Sequence, residues 1–245
     1  MTTTASRDAA LALIRSNIEK RGQHVYLVLG SSYPRFAYSI GLSQHTGFEL
    51  IVAGTSYYSN DRIVGIIHEG ATRLSEDAAA GSCERMRLPE GEFAIRAVHE
   101  SWGRELALGA FDYYRKKNIE LRQLVPPAGA WTIDVPDMSQ PWSAQREPVW
   151  RWMHEPWRFA IPESSTVVTN LRAMRGERVT EGLRRDDEAW EIFVDADPDV
   201  PQEDVFVVPL STLLGFDASL EPFTQLEIGT GLRRERGGAW SPRTP

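Results

Sequence analysis

The sequence predicts an α+β fold, a mainly antiparallel sheet with packed helices, followed by a small acidic α+β C-terminal module. The periodic segments run helix, three strands, helix, strand, helix, strand. The first strands are joined by connections too short for crossovers, which makes them antiparallel neighbours. The same order is compatible with a split-barrel variant. Charge divides the chain: of the net −7, residues Ser165–Pro245 hold 9 Arg against 15 Asp and Glu, a net of −6. Read this way, residues 1–145 form an α+β core domain, 146–164 a Trp/Pro-rich connector, and 165–245 the acidic module.

The elements follow from periodicity. Ser6–Arg21 is an amphipathic helix, with Leu11, Ile14 and Ile18 at helical spacing and Gly22 as its stop. His24–Gly30 is a short apolar strand, ended by the turn chemistry of Ser31-Ser32-Tyr33-Pro34. Arg35–Leu42 alternates strictly, with Phe36, Tyr38, Ile40 and Leu42 on one face and Arg35, Ala37, Ser39 and Gly41 on the other. Glu49–Gly54 is the third strand. Ile63, Ile66, Ile67, Gly70, Ala71 and Leu74 make one helical stripe, capped by Ser59 or Asn60. A loop over Ala78–Glu90 leads to a strand at Phe93–His99, a helix at Leu106–Tyr114 and a strand at Ile119–Val125. The stretch onward to Glu163 is aperiodic, rich in Pro and Trp, and serves either as a functional surface loop or as a connection. In the C-terminal module, Thr166-Val167-Val168, Trp190–Val194 and Val205–Val208 read as strands and Leu210–Leu214 as a short helix.

Composition excludes some classes. No apolar run approaches a membrane span, and the polar start has no secretion-signal pattern. One cysteine, Cys83, excludes an internal disulfide and fits a reducing compartment, so a cytoplasmic location is expected. The acidic balance argues against non-specific nucleic-acid binding. Lysine numbers three against 24 arginines, a bias that makes a lone Arg weak evidence for an anion site.

Two motifs stand out: Arg35-Phe-Ala-Tyr-Ser-Ile-Gly-Leu42 and Gly47-Phe-Glu-Leu-Ile-Val52. Through Phe36, Tyr38, Ser39, Gly41, Leu42, Glu49, Leu50 and Gly54 the chain resembles a bacterial family known as domain-of-unknown-function family 4262. Gln123-Leu-Val-Pro126 and Pro136-Asp137 to Pro141-Trp142 resemble that family's later segment, although residues around Trp131 intervene. The resemblance covers roughly residues 14–142 and implies no activity. Physically, a strand face of Arg35, Ser39 and Gly41 permits close backbone approach and hydrogen bonds to a carboxylate or phosphate. The alternative is an ordinary solvent-facing strand side.

Other constellations carry less. His24, His45, His68, His99 and His154 lack the i+3 or i+4 pairing of a metal helix, so no metal site is expected. Cys83 has Arg85 and Arg87 close in sequence but no identifiable base. Asp195-Ala-Asp197-Pro-Asp199 fails the calcium-loop pattern at Val200 and Phe206. Trp142, Trp150, Trp152 and Trp157, interleaved with Arg146, Arg151 and Arg158, suit either a binding surface or internal packing, with packing the commoner use.

The function this sequence suggests is small-molecule or cofactor binding, of a flavin- or nucleotide-like ligand such as FMN. The expected site residues are Arg35, Tyr38, Ser39, Gly41, Thr55, Ser56, Gln123 and Trp142. This rests on fold analogy. The alternative is a non-catalytic protein-interaction protein of immunity or regulatory type, whose acidic surface steers a partner. A hydrolase using Glu49, His68 or Glu100 stays open, because catalytic residues meet in space.

Overall fold

The computed structural model describes residues 4–76, 84–116, 118–195, 204–235 and 238–243. Helix α1 (Thr4–Arg21) turns Ile14 into the core with Leu11 and Ile18 beside it. It ends where the Gly22 amide bonds the Ile18 carbonyl at 2.7 Å. Three strands follow, β1 (His24–Val28), β2 (Phe36–Ile40) and, after the single-turn helix α2 (Ser43–Thr46), β3 (Glu49–Ala53). They pair antiparallel in sequence order, with Tyr26 opposite Tyr38 and Tyr38 opposite Ile51.

Helix α3 (Asn60–Glu76) lays the predicted stripe of Ile63, Ile66, Ile67, Gly70, Ala71 and Leu74 on one face of this sheet. The strands β4 (Arg85–Leu88) and β5 (Gly91–Ala97), the helices α4 (Glu100–Leu106) and α5 (Leu108–Tyr114), and β6 (Leu121–Val125) complete the N-terminal half. The sheet order is β1-β2-β3-β6-β5-β4. Its second face packs Phe36, Tyr38, Ile40 and Ile51 against Ile14, Trp102, Leu106 and Trp150.

The second half holds β7 (Thr166–Asn170), α6 (Leu171–Met174), β8 (Glu181–Arg184), β9 (Ala189–Phe193), β10 (Val205–Pro209), α7 (Leu210–Phe216), β11 (Gly231–Arg233) and β12 (Ser241–Pro242). They form a second sheet of order β10-β7-β9-β8-β11-β12 around Val167, Trp190, Ile192, Leu213 and Phe223. The Trp-rich stretch packs between the halves. Trp150 is buried and donates from its indole nitrogen to the Asp134 carbonyl at 3.0 Å. Trp152 donates to the Ser211 carbonyl at 3.4 Å, and Trp157 to that of Ile161 at 2.7 Å. The Ile133 amide also reaches across, to the Met174 carbonyl at 2.8 Å.

The α+β class and the mainly antiparallel pairing hold, and several elements depart from expectation. Each sheet contains one parallel pair, β3 with β6 and β7 with β9, because longer stretches of chain intervene there. Both sheets are open, with two ends each, so no split barrel forms. The predicted loop at 78–90 includes β4, whose Arg-Met-Arg-Leu is too short to reveal its period. The predicted helix at 106–114 starts earlier and breaks at Ala107, and His99 Nδ1 caps the first piece by accepting the Ser101 amide at 3.2 Å. Among the described residues, no helix is long and apolar enough to cross a membrane.

Candidate functional site

The candidate site forms where the β3–α3 loop meets the start of β2. Gly54 and Thr55 have consecutive left-handed conformations, φ 69° and 62°. A Cβ at Gly54 would stand 2.0 Å from the Asp134 carbonyl oxygen, so only glycine fits there. Thr55 is β-branched and fully buried, and its backbone stores strain of about 1–3 kcal/mol. Such strain persists only where neighbours hold it, and Arg35 is one of them. The Arg35 carbonyl accepts the Gly54 amide at 2.8 Å. Its guanidinium donates to the Thr55 carbonyl at 3.2 Å, to the Tyr58 carbonyl, and to Asn60 Oδ1 at 2.5 Å.

All of these acceptors are neutral. Among the described residues no carboxylate stands at ion-pair distance from Arg35, and its Nε is buried without a partner. Burial lowers the Arg35 pKa, and the more distant charge of Asp134 opposes that shift. Asp134 is fully buried behind the loop. One of its oxygens accepts the Ser56 amide at 3.1 Å and the Ser56 hydroxyl at 2.6 Å, and the other accepts the Thr132 hydroxyl.

Arg35, Ser56 and Asn60 form one wall of a cleft of about 210 Å³ between the two sheets. Leu29, Gly30 and Ser31 at the end of β1 line it, with Ser164, Thr166 and Val207–Pro209 of β10 opposite. Among the described residues the lining holds one cation and no acid. Asn60 opens α3, whose N-terminal end carries partial positive charge, and Ser59 caps it through the Arg62 amide at 3.2 Å.

Of the expected site residues, the structure brings Arg35, Thr55 and Ser56 together here. Ser39 and Gly41 lie elsewhere, around a second polar centre. Glu49 is fully buried: one oxygen accepts the Ser39 hydroxyl at 2.5 Å. The other accepts the Gly41 amide at 2.9 Å, the Ser43 amide at 3.0 Å and the Tyr114 hydroxyl at 2.5 Å. Burial, and next the charge of Glu49, raise the Tyr114 pKa. The face of Ala37 and Ser39 is therefore interior, because helix α3 covers it. Tyr38 is buried, its hydroxyl accepting the Gly109 amide at 3.0 Å. Gln123 ties β6 to the later chain, donating to the Pro136 carbonyl at 2.9 Å and accepting the Met138 amide at 3.4 Å. Trp142 packs on His154, with ring centroids 4.4 Å apart, and takes no part in the cleft.

The remaining candidates separate as well. Glu100 pairs with Arg104 at 2.8 Å on the surface, and burial lowers the pKa values of His24 and His68. Asp195 pairs with Arg172 at 3.1 Å, while Cys83, Asp197 and Asp199 lie outside the described residues. Among the described residues no group of three or more His, Cys, Asp or Glu is arranged to hold a metal ion. Sequence reasoning missed Asn60 as more than a cap, and it missed Asp134 and the β10 edge. In that loop the sequence marked only Thr55 and Ser56 as site residues and Ser59 or Asn60 as a cap.

No curated protein and no solved structure matches the chain. A family model does, over residues 17–131, and the C-terminal sheet lies beyond that match. Those residues, which carry the Arg35 clamp and the buried Glu49, are similar to the family described as Domain of unknown function (DUF4262).

Proposed function

We propose that this protein binds a ligand through an anionic group, a carboxylate or phosphate, presented to Arg35 in the cleft between the sheets. One observation carries the reading: a largely buried guanidinium, held only by neutral oxygens, stands in a cleft with no acid among its described lining residues. A buried cation without a counter-ion is costly, and an incoming anion relieves that cost. Arg35 accounts for the loop's shape, and its position in the cleft wall gives it a second use. Because Asn60 accepts from Arg35 through Oδ1, its amide N–H groups face away from the guanidinium and add donors. A small molecule or cofactor with a phosphate, FMN among them, is one ligand of this chemistry. The carboxylate end of a protein partner is another, favoured by the exposed Val207 on the rim.

Thermal melting of the full chain with inorganic phosphate, acetate or FMN tests the reading. A ligand at about 100 times its Kd stabilises by about 2.7 kcal/mol, which at this size is a rise of several degrees. No rise with any of the three, beyond that given by equal ionic strength of chloride, refutes it.

A further inference from the structure

We infer that the anion received by Arg35 is the terminal carboxylate of an extended peptide, whose last residues lie along the free edge of β10. The inference rests on the anion-binding reading above and names its ligand. β1 and β10 are edge strands of their sheets, and among the described residues nothing pairs with their outer sides. Both edges run into the one cleft, through Leu29–Ser31 and Val207–Pro209. An unpaired strand edge is a template for one more strand, and natural edges of this kind are usually blunted by charge. β10 instead reads Val-Phe-Val-Val-Pro, with Val205 36% and Val207 69% exposed, and Leu29 opposite is 62% exposed. Pro209 blunts only its last position.

The ends of the two features coincide. A Cβ on Gly30 would stand 3.1 Å from both the Arg35 amide nitrogen and Pro209 Cγ. The C-terminal end of β10 therefore adjoins Arg35, and a strand running parallel to β10 ends there. Donors for its carboxylate are the Asn60 amide, the Ser31 hydroxyl and the Arg35 N–H left over from the three bonds above. Two acids bond hydroxyls of the lining, the buried Asp134 that of Ser56 and the exposed Glu188 that of Ser164 at 3.0 Å. The apolar walls of Leu29, Val207, Val208 and Pro209 suit an aliphatic final side chain, and about 210 Å³ admits little more than that residue. A free small acid would use the Arg35 end and leave the β10 edge bare. The continuous edge is what selects a peptide.

The test selects random peptides displayed with free C-termini on the full chain. The best binder is then measured by fluorescence anisotropy as the free acid and as the C-terminal amide. The expected result is enrichment of aliphatic final residues, a loss of about tenfold or more on amidation, and competition by inorganic phosphate. Val207→Glu, an exposed change at the cleft rim, should weaken the free acid similarly while leaving the melting temperature near that of the parent. No enrichment, or binding indifferent to amidation, overturns the inference. If phosphate stabilises the chain while no peptide binds, the peptide falls and the anion-binding reading stands. If neither binds, both fall.

Discussion

Glu49 accepts four hydrogen bonds in the core, three on one oxygen, and no cation stands among its partners. Removing it strands the Ser39 and Tyr114 hydroxyls and the Ser43 amide and leaves the Gly41 amide only its bond to Tyr114, so Glu49→Ala should cost about 3 kcal/mol or more by urea unfolding. Glu49→Gln should cost less, about 1–2 kcal/mol. The amide oxygen can keep the three donors, and the amide N–H can point at Ser39, whose oxygen is able to accept. Equal losses for the two variants would show that packing, and not these hydrogen bonds, matters there. Buried phenols and imidazoles make a second prediction at this scale. Burial raises Tyr38, Tyr58 and Tyr114 above 10.0, Tyr58 to about 12. The unfolded chain therefore loses those protons first, and stability falls as pH rises past 10. His24 and His68 are lowered from 6.5 by burial, so the unfolded chain gains protons first as pH falls below 6.5. Urea midpoints across pH should form a plateau between 6.5 and 10 and decline on both sides. A midpoint that rises on either side contradicts these assignments.

At the scale of elements, the long helical stripe and the apolar five-residue strands were legible, and the strands of three or four residues were not. The α3 stripe was readable because 17 residues sample the helical period several times. Ile66→Ala there should cost about 2–5 kcal/mol, and Trp150→Ala, which also frees the Asp134 carbonyl, about 3–5 kcal/mol. Denaturant unfolding checks both, and a loss below about 1 kcal/mol at either position would contradict the burial described. β8 and β11 escaped notice because Glu-Gly-Leu-Arg and Gly-Leu-Arg hold too few residues to show alternation. Ser39 was visible as part of a motif, but its role was not. That role depends on Glu49 arriving across the β2–β3 turn and on Tyr114 arriving from α5. The same limit applies to the cleft. Arg35, Thr55 and Ser56 were named from local chemistry, whereas Asp134, Asn60 and the β10 edge join them only through tertiary packing.

Over the whole molecule, two open sheets meet through the Trp150–Trp152 segment, and their edge strands leave a cleft around one cation. The net charge of −7 repels anions in general, so a specific anion must be won locally, by Arg35 and Asn60. Asn60→Asp isolates that local contribution. It places a carboxylate where Asn60 Oδ1 already accepts from Arg35, supplies a counter-ion at contact distance from within, and disturbs little else. The most direct measurement is a phosphate titration of the melting temperature in the parent and in Asn60→Asp, at matched ionic strength. The expected result is a dose-dependent rise in the parent and a flat response in Asn60→Asp, whose phosphate-free melting temperature is equal or higher. Equal responses in the two proteins, or none in the parent, would contradict an anion site at Arg35.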